Sequence, residues 1–154
     1  MNMPFKINIA STDGKTYKLE LESEDLLGKE LGETLSGNEI LPALAGYELE
    51  ITGASDKAGF TSMENVEGSG LKKLLLTYGK AMKKRPKREG KKKRSDYTPK
   101  GLRLRKTVRG KVISPDITQI NLKILKEGPK KLAEVFPDQN KAKEPEKPAE
   151  EKKD

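Results

Sequence analysis

The sequence predicts a mainly β fold: a small closed or partly open β-barrel, with a basic irregular extension inserted before its last two strands and a disordered C-terminal tail. Three observations predict it. Short segments in which apolar and polar residues alternate recur along the chain, and that alternation is the period of a half-buried strand. Glycine and proline separate these segments at close intervals, which keeps every element short. Basic charge is concentrated in one block, 80–106, that shows no dependable strand or helix pattern. A count of about six or seven short strands suits a closed or nearly closed barrel.

The elements follow in order. Phe5–Ala10 and Tyr17–Glu22 alternate strictly, and Asp13-Gly14 lies between them. Gly tolerates the positive φ of a tight hairpin turn, so this reads as strand, turn, strand. Ser23–Gly28 reads as one helical turn, capped by Ser23 and stopped by Gly28. Residues 29–46 are ambiguous, broken by Gly32, Gly37 and Gly46. Tyr47–Thr52 is again a strand, followed by a loop over Gly53–Phe60. Leu71–Tyr78 is a strand or a short helix, and Gly70 and Gly79 limit it to strand length. Thr107–Ile113 and Gln119–Leu125 are strands, with Ser114-Pro115-Asp116 as the turn between them. The chain therefore divides into the first part of the barrel domain (1–79), the basic extension (80–106), the closing strands (107–128), a short helical or irregular segment (129–136) and a charged tail (137–154). The tail carries too little apolar surface to offset the entropy of ordering it, and is expected to be disordered.

The charge is partitioned. Residues 1–70 carry 5 basic and 13 acidic side chains, residues 71–111 carry 18 basic and 2 acidic, and residues 112–154 carry 9 of each. A block with a net charge of +16 repels itself, and a polyanion relieves that repulsion. Phosphate backbones do so while releasing condensed counterions. A solvated basic loop or a localisation signal remains an open alternative. An anionic membrane surface fits poorly, because the block has no apolar stripe to insert.

Other chemistry is closed off by composition. The chain has no Cys and no His, so disulfides, Cys or His zinc sites and nucleophilic catalysis by Cys or by Ser with a His base are excluded. Acid–base work would fall to Asp, Glu, Lys or Tyr. No paired carboxylates, phosphate loop or metal constellation is evident, so the chain reads as non-enzymatic, with no cofactor and no small-molecule substrate. No apolar run approaches the ~20 residues of a membrane-spanning helix. Met1–Phe5 lacks the pattern of a secretory leader, and the expected location is the cytoplasm.

Two segments carry a specific resemblance. Ile51-Thr52-Gly53-Ala54-Ser55-Asp56-Lys57-Ala58-Gly59-Phe60 resembles a pattern typical of ribosomal protein six of the archaeal and eukaryotic small subunit, roughly L/I-T/S-G-G-x-D-K-x-G-F. Lys106-Thr107-Val108-Arg109-Gly110 resembles the same family's K/R-K-T/S-V-R-G, and Ile113-Ser114-Pro115-Asp116-Ile117 follows in the family's order. The resemblance covers about residues 5–128. The sequence departs from the pattern at Ala54, where a second Gly is common, and at Thr61-Ser62, where Pro-Met usually follows Phe. Residues 95–105 look like an insertion. The serine-bearing C-terminal helix of the eukaryotic members has no counterpart, so the chain looks archaeal. The resemblance implies a structural, ribosome-bound protein with small-subunit rRNA and neighbouring ribosomal proteins as partners. A non-ribosomal architectural or chaperone-like nucleic-acid binder is the alternative.

The expected phosphate contacts are Lys80, Lys83, Lys84, Arg85, Lys87, Arg88, Lys91, Lys92, Lys93 and Arg94. Arg103, Arg105, Lys106, Arg109 and Lys111 are expected to continue that surface onto the barrel. Arg can fork two bonds onto a phosphate, whereas Lys acts as a mobile point charge. With only Tyr97 aromatic in the block, recognition is expected to read RNA shape and backbone rather than sequence. Lys57 sits in the Asp56–Phe60 segment, which is either a plain turn or a loop that carries Lys57 and bare amides to RNA. Phe60 is assigned to the core in preference to base stacking, because the chain has few large residues to spare for packing.

Overall fold

The computed structural model describes residues 4–22, 25–83, 100–137 and 139. Phe5–Ala10 (β1) and Thr16–Leu21 (β2) form an antiparallel hairpin through the Asp13-Gly14 turn, with Ile7 opposite Leu19. The chain then turns through Asp25–Gly28 and buries Leu26. Ser23 and Glu24 of the expected helical turn lie outside the described residues. The glycine-punctuated stretch resolves into a three-residue strand Thr34–Ser36 (β3), one helical turn Gly37–Ile40 (α1) and a 3-10 turn Pro42–Leu44. Glu48–Asp56 (β4) runs four residues past the expected strand end, through the segment expected to be a loop. Leu71–Thr77 (β5) is a strand.

The next strand is Arg103–Arg109 (β6), not Thr107–Ile113. The strand starts four residues before the expected Thr107 because pairing with β5 recruits the charged residues 103–106, from Thr77 opposite Arg103 to Leu71 opposite Arg109. Past Arg109 the backbone leaves the ladder: Lys111 and Val112 donate their N–H groups to the carbonyls of Val66 and Gly68. Ile117–Lys126 (β7) follows, and the last helical turn is Leu132–Val135 (α2).

Two sheets result. The larger has the order β2-β1-β7-β4-β3, and the smaller is the β5-β6 ribbon. The fold is mainly β, as expected, but the sheets do not close into a barrel. The edge strands β2 and β3 do not pair with one another, and β3 is only three residues long. Between sheets the ladder shrinks to single bridges, Ser55 to Thr61 and Ser62 to Arg109. The loop 64–70 then runs along 110–112, its Val66, Gly68 and Gly70 carbonyls accepting from the N–H groups of Lys111, Val112 and Gly110.

Alternation decides which face of the large sheet is buried. Phe5, Ile7, Ile9, Tyr17, Leu49, Ile51, Ile120, Leu122 and Ile124 point to one side and form the core with Leu26, Leu35 and Leu44. Each such aliphatic side chain contributes about 1.5–3 kcal/mol relative to exposure. At one end, α2 adds Leu132, the Tyr47 hydroxyl donates to the Lys130 carbonyl, and the Tyr17 and Phe136 rings lie 5.7 Å apart. The opposite face is polar: Asn8 Nδ2 and Gln119 Nε2 both donate to Asn121 Oδ1, at 3.1 and 3.0 Å.

Candidate nucleic-acid interface

The two motif segments found in the sequence, and Asp116 of the stretch that follows them, meet at one cluster. Asp56, the last residue of β4, is almost fully buried. Its Oδ2 accepts from Arg109 Nε at 2.8 Å and its Oδ1 accepts from the Phe60 N–H at 2.8 Å. The Phe60 carbonyl accepts from the Asp56 N–H, and the Asp56 carbonyl from the Gly59 N–H, at 3.1 and 3.0 Å. Gly59 has φ +85°, a conformation that disfavours any side chain, so this four-residue turn needs glycine there. Arg109 reaches further, donating through Nη1 to Asp116 Oδ2 at 3.1 Å and to the Ser69 carbonyl at 3.3 Å.

Burial of Asp56 opposes its charge and is the largest single influence on it. The hydrogen bonds from Arg109 and from the Phe60 amide, with the guanidinium charge, together outweigh burial and hold the carboxyl below the usual range. Arg109 is correspondingly stabilised as a cation, first by its hydrogen bond to Asp56. Gly110 completes the arrangement. A Cβ there would lie 1.8 Å from the Gly68 carbonyl oxygen, so the loop 64–70 closes against bare backbone.

The expected phosphate-binding residues separate into three groups. Arg109, Lys111 and Lys80 have carboxylate partners inside the protein: Arg109 as above, Lys111 with Glu30 at 2.9 Å and Glu67 at 3.4 Å, and Lys80 with Glu64 at 2.9 Å. Lys57, Lys83, Arg103, Arg105 and Lys106 are exposed and form no ion pair among the described residues. Lys84, Arg85, Lys87, Arg88, Lys91, Lys92, Lys93 and Arg94 lie outside the described residues. Lys57 projects from the tip of the Asp56–Phe60 turn.

The ribbon places Arg103 and Arg105 of the second group on one face, while Lys106, opposite Leu74, lies on the other. Residues opposite one another in an antiparallel pair share a face. One face therefore carries Leu71, Lys73, Leu75 and Thr77 from β5 with Arg103, Arg105, Thr107 and Arg109 from β6. The other carries Leu74 and Leu76 with Leu104 and the buried Val108. Leu75 is 53% exposed between the cations. Sequence reasoning missed Lys73 and the exposed Leu71 and Leu75, because the leucines of Leu71–Tyr78 were read as buried, whether in a strand or in a short helix. The basic character of Lys72 and Lys73 was the available signal.

Two recesses adjoin the ribbon. One, of about 470 Å³, has Gly53, Ser55 and Asn121 of the large sheet on one side and Lys80 and Lys83 on the other. The second, of about 400 Å³, lies between Phe60 and the β6 residues Arg105 and Lys106. Thr61 and Ala81 line both, so the recesses are neighbours. Ala81 has φ +64°, a left-handed conformation held in the turn where Gly79 and Met82 hydrogen-bond to each other. Phe60, expected in the core, is half-buried and stands outside it. Its backbone is held by Asp56, and the residue lines the recess beside β6 instead.

Among the described residues no cluster of acidic side chains could hold a metal ion, and no helix is long and apolar enough to cross a membrane.

Comparison with known proteins agrees with the motifs. Residues 5–137 match the family Ribosomal protein S6e. The small ribosomal subunit protein eS6 of Methanosphaera stadtmanae is 41% identical over 137 residues, covering 87% of this chain and 93% of that protein. The protein of the same name from Methanococcus maripaludis is 38% identical over 131 residues, 84% of this chain and 94% of that protein. That of Archaeoglobus fulgidus is 38% identical over 138 residues, 87% and 96%. With the Asp56 and Arg109 motifs bonded to each other and the match running along nearly the whole folded part, this chain belongs to the S6e family of ribosomal proteins, as an archaeal member.

Proposed function

We propose that this protein is a structural constituent of the small ribosomal subunit that binds rRNA through its Lys/Arg-rich extension and the ribbon to which that extension is joined. The role is structural, not enzymatic, and the protein is ribosome-bound in the cytoplasm beside neighbouring ribosomal proteins. One observation carries the reading: carboxylates neutralise the cations nearest the core, while those on the ribbon and its approaches, Lys83, Arg103, Arg105 and Lys106, are exposed with no acidic partner among the described residues. A folded protein has no internal use for such a surface, whereas phosphate does. Within the extension 80–106, Lys84, Arg85, Lys87, Arg88, Lys91, Lys92, Lys93 and Arg94 add to the same charge, and the extension lies in sequence between β5 and the charged start of β6. The relatives named as small-subunit proteins supply the site of assembly.

Sucrose-gradient sedimentation of the tagged protein tests the reading. Stable co-migration with small subunits at moderate salt is expected. Protein that stays at the top of the gradient, or that follows bulk nucleic acid instead of subunits, would contradict it.

A further inference from the structure

The outer edge of β6 is only partly used. Opposed residues in an antiparallel pair alternate between those that exchange backbone hydrogen bonds and those whose N–H and C=O point away from the partner strand. Arg109 is of the second kind: its N–H donates to the Thr61 carbonyl and its carbonyl accepts from the Met63 N–H, both at 3.0 Å. Gly110 is of the first kind, donating to the Gly70 carbonyl at 3.1 Å. Both bonds set the same phase. Thr107, opposite Lys73, and Arg105, opposite Leu75, therefore turn their backbone groups to the edge that Arg109 uses. The Thr61–Met63 segment covers only the Arg109 end. Beyond it the edge opens into the recess beside Phe60.

Phe60 and the exposed Tyr78 are the described aromatic residues that stand outside the core. Phe5, Tyr17 and Tyr47 are core residues and Phe136 packs against them. Phe60 belongs to neither group, although burying it in the core would stabilise a chain so short of large apolar side chains. Its position is fixed instead by two backbone hydrogen bonds to Asp56 and by the turn at Gly59. An aromatic residue with a fixed backbone, lining one recess with two exposed cations, Arg105 and Lys106, and with β6 backbone groups that have no partner among the described residues, matches the needs of an unstacked nucleobase: a flat apolar partner, hydrogen-bonding groups at its rim and positive charge for the phosphates on either side.

We propose that this recess holds one unpaired nucleobase of the bound RNA, with Phe60 as the stacking surface, the β6 backbone at Arg105 and Thr107 meeting the base edge, and the Arg105 and Lys106 side chains on the adjoining phosphates. The proposal rests on the reading of the chain as an RNA-binding protein and adds to it a requirement for a single-stranded nucleotide. A peptide strand added to the same edge is disfavoured by the basic flanks and by the shortness of the open stretch. Every base offers a π face, so the site distinguishes single-stranded from duplex RNA more than one base from another.

The full-length protein, its Phe60→Leu variant and its Phe60→Tyr variant test this against fluorescent oligouridylate and against an RNA duplex with the same number of phosphates. Phe60→Leu is expected to weaken oligouridylate binding about tenfold. The dependence of that affinity on salt and the affinity for duplex should stay as in the parent, and Phe60→Tyr should bind like the parent. Ultraviolet cross-linking of the parent to oligouridylate should leave a uridine adduct on Phe60. Equal oligouridylate affinity in parent and Phe60→Leu overturns the proposal, as does an equal loss for both RNAs. Should Phe60→Leu fail to fold, absence of an adduct at Phe60 in the parent overturns it alone. Failure of the parent to bind either RNA would instead sink the RNA-binding reading itself.

Discussion

Asp56 and Arg109 stand 53 positions apart in sequence, and the guanidinium Nε of one donates to the carboxylate Oδ2 of the other at 2.8 Å, with their side chains 4% and 12% exposed. The bond ties the end of β4 to the end of β6 and so joins the large sheet to the ribbon. A buried pair of this kind adds little over an apolar substitute, but removing one partner leaves a charge stranded, at a cost of about 3–5 kcal/mol. Asp56→Ala and Arg109→Ala should each lower unfolding stability by about 3 kcal/mol in urea titrations. The double variant should lose clearly less than the sum, because the second substitution removes the stranded charge. Strict additivity would show that the two groups do not act as a pair.

The same carboxylate makes stability depend on pH. Burial works against its ionisation most strongly, but the bonds from Arg109 and Phe60 and the guanidinium charge together hold it below the ordinary carboxylate value. A depressed carboxylate contributes stability that is complete above its unfolded value, about 3.9, and is lost as pH falls through the lower folded value. The stability gap between the parent and Asp56→Asn should be widest near neutrality and should narrow as pH drops below about 4. Urea unfolding at a series of pH values measures it, and a gap unchanged into strong acid would be inconsistent with an ionised Asp56.

Gly110 and Gly70 make a matched pair of controls. A methyl group at Gly110 would sit 1.8 Å from the Gly68 carbonyl oxygen and 2.5 Å from its carbon, both backbone atoms with little room to yield, whereas nothing lies within 4 Å of a Cβ at Gly70. Gly110→Ala should destabilise by about 2 kcal/mol, as overpacking does. Gly70→Ala should stay within about 0.5 kcal/mol of the parent. Thermal or urea unfolding of the two variants side by side checks both.

Much of this fold was legible because local pattern specified it. Alternation over Phe5–Ala10 and Tyr17–Glu22 and the Asp13-Gly14 turn anticipate the hairpin to within one residue, and β7 lies where its alternation placed it. What failed depends on partners distant in sequence. Whether β2 and β3 meet to close a barrel is decided by long-range pairing, such as the parallel register of Ile7 with Ile120, which no local period encodes. β6 was hidden because its inner face reads Leu104, Lys106, Val108, and the lysine interrupts the apolar period.

The candidate site divides in the same way. The charge block was visible at once, since like charges in one run need no structure to be recognised. The partners of individual cations were not. Arg109 and Arg105 occupy equivalent positions in the sequence pattern, yet one is satisfied by Asp56 and Asp116 while the other faces solvent. Phe60 was assigned to the core on the scarcity of aromatics, and the Asp56 turn places it elsewhere.

The central claim is that the exposed cations of the ribbon and extension hold RNA phosphates. The most direct measurement is the slope of log affinity against log salt for rRNA fragments, compared between the parent and variants in which Lys83, Lys84, Arg85, Lys87, Arg88 and Lys91–Arg94 are replaced by Ala in stages. The slope should flatten by about one for each phosphate contact removed. A slope that stays at the parent's value through the whole series would contradict it.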